Sequence, residues 1–109
     1  MGATVLPPRM LAQIRLALLG DCGCQHRLAQ LDAAARSAGL SGAEIDAALG
    51  GSSFEARAAA AVGLACALKS GDPQALADAR QRSERIGLTA AERRAIRRAA
   101  SAILKVPTP

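Results

Sequence analysis

Apolar residues recur along this chain at three- and four-residue steps, the spacing of one face of a helix rather than the alternation of a strand. Pro, Gly and short polar residues that cap helices divide the pattern into six segments. We predict helices at about 8–20, 22–37, 42–49, 56–69, 73–87 and 90–104. The expected fold is therefore all-α, a compact bundle of about six helices.

Capping signals mark most of the helix starts. Three stretches read as capping boxes, with a hydroxyl residue followed three positions later by Glu: residues 41–44, 52–55 and 89–92. Asp21 and Asp72 are the predicted N-caps of the second and fifth helices, and Pro73 suits a first helical turn. Gly20, Gly39 and Gly87 are the predicted stops.

Composition supports one small helical domain. The 109 residues are rich in Ala and Leu, and Phe54 is the only aromatic residue. Strong helix formers outnumber the β-branched residues that favour strands. We expect an N-terminal arm over residues 1–8, one domain over 9–104 and a tail over 105–109.

The most apolar run, residues 58–68, belongs to the Ala-rich fourth helix. It is well short of the roughly 20 residues that a membrane-spanning helix needs. The first residues lack the basic start and apolar stretch of a signal peptide, so we expect no membrane association and a cytoplasmic location. The helix is apolar all round, which predicts a position at the centre of the bundle or at a subunit contact.

Two segments 48 residues apart share a pattern. Residues 37–49 and 85–97 both contain Gly-Leu, then Ser or Thr, any residue, Ala and Glu. The pattern indicates either an internal duplication or two tight helix corners that resemble each other.

The positive charge is concentrated in the last quarter of the chain. The formal net charge is +5, and residues 80–105 carry eight basic side chains against two acidic ones. On the last helix, Arg93, Arg94, Arg97 and Arg98 fall within an arc of about 140°. This face is either solvated or binds an anionic partner. Nucleic acid is disfavoured because no aromatic residue is present there to stack on a base.

Candidate chemistry is concentrated between Asp21 and Arg27, where two cysteines, Cys22 and Cys24, and the only histidine, His26, fall within five positions. A Cys at the start of a helix is favoured as a thiolate. Cys22 and Cys24 could form a redox pair only if the backbone leaves the helix between them, because side chains two apart on a helix point about 200° apart. His26 could then act as a base.

Other interpretations of this stretch stay open. Cys24 lies on one helical stripe with Leu28, Leu31 and Ala35, so it could simply be a buried apolar residue. Two thiols and a histidine could also contribute to a metal site, although zinc ligands usually have wider spacing. The chain has no Gly-rich phosphate loop, Ser-His-Asp arrangement or dinucleotide fingerprint, so we expect no cofactor and no metal.

From about Met10 to Leu104 the chain resembles the alkylhydroperoxidase D-like (AhpD-like) and carboxymuconolactone decarboxylase group. The resemblance is carried by residues 10–24, 24–41 and 43–49, and by the later stretches 55–80 and 86–104. The Cys-x-x-Cys-x-x-x-His motif of the group, counted back from Gly39, falls on Cys24, Arg27 and Leu31. The glutamate expected upstream falls on Ala12.

The resemblance implies an AhpD-like bundle, a homo-oligomer and either peroxide reduction by a cysteine pair or decarboxylation of a lactone. Our first functional hypothesis is a thiol-dependent peroxide reductase of the peroxiredoxin type, with Cys24 attacking and Cys22 resolving. The alternative is a non-catalytic relative that acts as a helical binding or interaction module.

Overall fold

A computed structural model describes residues 5–21 and 23–105, and these residues form six helices and no strand. The helices are α1 (Pro8–Leu19), α2 (Gln25–Ser37), α3 (Gly42–Leu49), α4 (Ala56–Ser70), α5 (Pro73–Ile86) and α6 (Ala90–Leu104). The predicted all-α bundle of six helices is confirmed. Helix α1 begins at Pro8, within the predicted arm.

Local capping explains three of the helix starts. Ser41 and Thr89 form the predicted capping boxes of α3 and α6 with Glu44 and Glu92. Asp72 caps α5 by accepting a hydrogen bond from the Gln74 amide at 3.0 Å. These contacts join residues two or three positions apart, which is why the sequence reveals them.

The predicted capping box at residues 52–55 is wrong. Glu55 itself is the N-cap of α4, without a side-chain cap bond. Its amide donates to Ser53 Oγ at 3.2 Å, and its carboxylate accepts a hydrogen bond from Arg9 at 3.1 Å. The long-range pairing with Arg9 takes the carboxylate away from the local helix start.

Helix α4 lies at the centre of the bundle, in contact with α1, α5 and α6. Seven of its residues are buried, and five of them are alanines. Small side chains let the neighbouring helices approach closely from several directions. The prediction that the Ala-rich helix is central is therefore confirmed within a single chain.

The six helices form two units of three, related by a shift of 48 residues. Helices α1, α2 and α3 begin at residues 8, 25 and 42, whereas α4, α5 and α6 begin at 56, 73 and 90. We call residues 8–49 the first unit and 56–104 the second unit. The backbone repeats in detail, since Gly23 and Gly71 have φ angles of 70° and 71° just before the second helix of each unit.

An arginine on the first helix of each unit closes the corner between the second and third helices. Arg9 donates to the Gly39 carbonyl at 2.5 Å and also pairs with Glu44. Its counterpart Arg57 donates to the Gly87 carbonyl at 3.4 Å and pairs with Glu92. The shared pattern at 37–49 and 85–97 thus marks a structural repeat and not only two similar turns.

The carboxylates of Glu44 and Glu92 at the two corners should make the free energy of unfolding depend on pH. Hydrogen bonds from the backbones of Ser41 and Thr89 lower the pKa values of Glu44 and Glu92 below their ordinary 4.5. Because the pKa is depressed in the folded state, this stabilisation is complete above about pH 4.5 and is lost as the pH falls through the folded-state values. We expect the E44Q/E92Q variant to lose less stability than the wild type between pH 6 and pH 3.

Urea unfolding followed by circular dichroism measures this difference, with E84Q as the control because Glu84 caps no helix. A double variant with the wild-type dependence on pH would contradict the assignment.

Candidate functional site

The segment that leads into α2 leaves the helical conformation before Cys24. Gly23 has a φ of 70°, in the left-handed region that favours glycine, and Cys24 has extended φ and ψ angles of −90° and 109°. Helix α2 begins only at Gln25, so Cys24 is its N-cap. The predictions that Asp21 caps this helix and that Cys24 lies in its first turn are therefore wrong.

Asp21 is engaged elsewhere. Its carboxylate lies 2.9 Å from Lys69 Nζ on α4, which also donates to the Leu18 carbonyl at 2.8 Å. The hydrogen bond from Lys69 lowers the pKa of the Asp21 carboxyl. This pair ties the end of α1 to the end of α4 and partly compensates the negative charge that precedes Cys24.

Cys24 has an exposed side chain. The interpretation of Cys24 as the first residue of a buried stripe is therefore wrong, although Leu31 and Ala35 are buried as that stripe requires. The stripe begins one turn later, at the half-buried Leu28. The change follows from the later start of α2, because a residue before the helix does not share its face.

The sequence also predicts His26 and Cys22 as residues of this site. His26 is the second residue of α2 and is exposed. Cys22 lies outside the described residues. The structure thus places Cys24 and His26 on the same exposed helix start, and the pairing of Cys24 with Cys22 stays a prediction.

Cys66, on α4, differs from Cys24 in its surroundings. Its thiol is half-buried near the turn at Gly51. Burial raises the pKa of the Cys66 thiol, against the attraction of the nearby Lys69. A thiol of this kind is a poor nucleophile near neutral pH.

Metal ligation has little support within residues 5–21 and 23–105, where no three His, Cys, Asp or Glu side chains cluster closely enough to hold an ion. Cys22 lies outside these residues.

A groove of about 630 Å³ runs between α1 and α2 and ends against the last turn of α6. It is lined by Ala12, Arg27 and Leu31, the positions on which the resemblance places the catalytic Glu, the second Cys and the His. The groove therefore lies where the resemblance would place an active site, but it has an apolar wall and basic groups from Arg15 and Arg27. We call it the first-unit groove.

A second groove of about 460 Å³ lies between α4, α5 and α6. Three of the four arginines predicted to form a basic face, Arg93, Arg94 and Arg97, line it, whereas Arg98 is exposed elsewhere on α6. Arg80 of α5 joins them, a neighbour that the amphipathic pattern of the last helix alone does not reveal. We call this cavity the second-unit groove.

No protein-family model matches the chain, and no curated protein or solved structure is significantly similar to it. The AhpD-like assignment therefore stays a prediction from the resemblance of sequence motifs. No helix among the described residues has the length and apolarity to cross a membrane.

The two described thiols should differ in reactivity. We expect iodoacetamide to modify Cys24 faster than Cys66 at pH 7, because Cys24 is exposed and burial raises the pKa of Cys66. The ratio of the Cys24 rate to the Cys66 rate should fall as the pH rises and Cys66 ionises. Peptide mapping by mass spectrometry identifies the modified cysteine. The C22S variant is used so that modification of this stretch can be assigned to Cys24.

The same measurement in 6 M guanidinium chloride is the control, since unfolding should bring the two rates together. Equal rates in the folded protein would remove the case for a reactive thiol at Cys24.

Proposed function

We propose that this protein is a thiol-dependent peroxide reductase in which Cys24 attacks the peroxide and Cys22 resolves the product. The observation that supports this most is the non-helical backbone at Gly23 and Cys24. A helix through these residues would hold the two side chains on opposite sides, and that obstacle is removed when α2 starts at Gln25. The exposure of Cys24 gives a peroxide access to its sulfur.

The proposed reaction has two steps. The Cys24 thiolate attacks one peroxide oxygen, the O–O bond breaks, and water or an alcohol leaves as Cys24 becomes a sulfenic acid. The Cys22 thiol then attacks the Cys24 sulfur, and the sulfenic acid oxygen leaves as water while the disulfide forms. An external dithiol, such as a reducing cytoplasm supplies, reduces this disulfide and is itself oxidised to a disulfide, which restores both thiols.

His26 is the residue to which we assign the proton transfer. It is the only histidine, lies two residues from Cys24 and is exposed in the first turn of α2. A neutral imidazole can accept the thiol proton and later return it to the leaving oxygen. Replacing His26 with Gln should therefore slow sulfenic acid formation near neutral pH, whereas Gln25→Ala, at the neighbouring exposed residue, should not.

One equivalent of hydrogen peroxide should remove two thiols from the reduced protein. We expect the peptide containing Asp21–Arg27 to lose about two hydrogens in mass. The eleven-membered ring that Cys-Gly-Cys closes is tight, so a dithiol should reduce it readily. The C22S variant should instead stop at a sulfenic acid on Cys24 and over-oxidise with more peroxide.

C66S is the matched control, and it should behave as the wild type does. If Cys24 stays a thiol, or reaches sulfinic acid without Cys22 joining it, the reductase proposal fails.

A second candidate function is supported by the first-unit groove. The positions that the resemblance assigns to catalysis hold Ala12, Arg27 and Leu31, none of which can replace a Glu, Cys or His. This favours a non-catalytic relative that uses the family's cavity to bind a partner or ligand. Failure of the peroxide experiment with an intact fold would support this candidate.

We also propose that the protein is AhpD-like in its assembly and forms a homo-oligomer. Because the other helices of the same chain cover α4, a subunit contact would have to use apolar surface elsewhere. Phe54, the only aromatic residue, is 74% exposed in the connection between α3 and α4, and Leu49 at the end of α3 is 40% exposed. An aromatic side chain left in water is a frequent anchor of a protein interface.

Light scattering coupled to size-exclusion chromatography should therefore give a mass at least twice the 11.1 kDa of the chain. Phe54→Ser should shift the mass toward that of the monomer. The control is Ile86→Ser, at an apolar residue about as exposed as Leu49, and it should leave the mass unchanged. A monomer at high micromolar concentration would contradict the proposal.

A further inference from the structure

The second-unit groove combines an apolar floor with a basic rim. Leu64 and Leu68 of α4 and Leu76 of α5 form part of its floor. Its basic groups are Arg80 of α5 and Arg93, Arg94 and Arg97 of α6. Its volume of about 460 Å³ lies within the usual range for pockets that hold small organic ligands.

The repeat shows that the fold does not need these arginines. A shift of 48 residues relates Arg80, Arg93, Arg94 and Arg97 to Asp32, Ile45, Asp46 and Leu49 of the first unit. There the same place is closed by apolar packing, since Ile45 is buried and Leu49 lies so close to Gly20 that a Cβ on that glycine would overlap it. Two apolar and two acidic residues in one unit thus correspond to four arginines in the other.

The arginines are poorly compensated within the protein. Arg80 lies 3.8 Å from Glu84, and Arg93 donates to the Leu88 carbonyl at 2.7 Å. Arg94 and Arg97 form no ion pair or hydrogen bond with any residue in the described part of the chain. Arg93 and Arg97 are one helical turn apart, where like charges destabilise a helix. An anion bound between them would relieve this repulsion.

We infer that the second-unit groove binds a small organic anion that carries one carboxylate, sulfonate or phosphate group on an apolar body. Guanidinium groups bind such head groups with paired, charge-assisted hydrogen bonds. The leucine floor provides a place for the apolar body out of water. A free inorganic anion would leave that floor unused, and nucleic acid would find no aromatic residue there to stack on. The inference does not depend on the chemistry of Cys24.

The probe for this site is 8-anilinonaphthalene-1-sulfonate, whose fluorescence rises in an apolar environment. We expect R94Q/R97Q to weaken its binding by about tenfold or more, since losing even one charge-assisted hydrogen bond typically costs about that factor. The matched control is R82Q/R85Q, which removes the same charge from α5 residues that do not line the groove, and it should change the affinity less than about twofold. Octyl sulfate should displace the probe, whereas octanol and inorganic phosphate at equal concentration should not.

Methyl NMR of leucine-labelled protein locates the bound probe. The resonances of Leu64, Leu68 and Leu76 should shift on titration, and circular dichroism should show each variant to be folded. Three results would overturn the inference: equal loss of affinity in both arginine pairs, displacement by octanol as effective as by octyl sulfate, or loss of affinity only in R15Q/R27Q, which alters the first-unit groove.

Discussion

The rest of the structure depends on the hydrogen bonds and ion pairs that an arginine of each unit's first helix makes at the corner between the second and third helices. We call each of these sets of contacts a clamp. Arg9 and Arg57 each bind a carbonyl at the end of the second helix and a carboxylate in the first turn of the third. One guanidinium group thereby orients three helices. Its planar set of donors can bind two acceptors in fixed directions, which a lysine ammonium does less well.

The clamp also sets how the two units meet. Helices α1 and α4 carry the arginines and pack against each other, so each clamp is anchored in the shared core. Ile14 and Val62, which correspond under the shift of 48 residues, are fully buried in that core. Three of the helices that the clamps orient, α2, α5 and α6, line grooves on the outside. The arginines that distinguish the second unit lie on these outer helices and not in the shared core.

The units have diverged at matching places. The N-cap of the second helix is Asp72 in the second unit, where its carboxylate accepts the Gln74 amide, and the exposed Cys24 in the first. The second-unit groove is lined by arginines, whereas Ile45 and Leu49 occupy the corresponding place on α3, away from the first-unit groove between α1 and α2. Asp72 contributes a capping hydrogen bond in the second unit, and Ile45 and Leu49 contribute apolar packing in the first.

The sequence by itself determined the helices and the corners, because these depend on contacts between neighbouring residues. The capping boxes at Ser41 and Thr89 and the Asp72 cap join groups two or three positions apart, and such short-range pairs leave a readable pattern. The tertiary structure alone decided the sites. Asp21 pairs with Lys69 and Glu55 with Arg9, so neither caps a helix through its side chain. Arg80 meets the α6 arginines only after α5 and α6 have packed on α4, since partners that far apart in the chain are set by packing and not by local pattern.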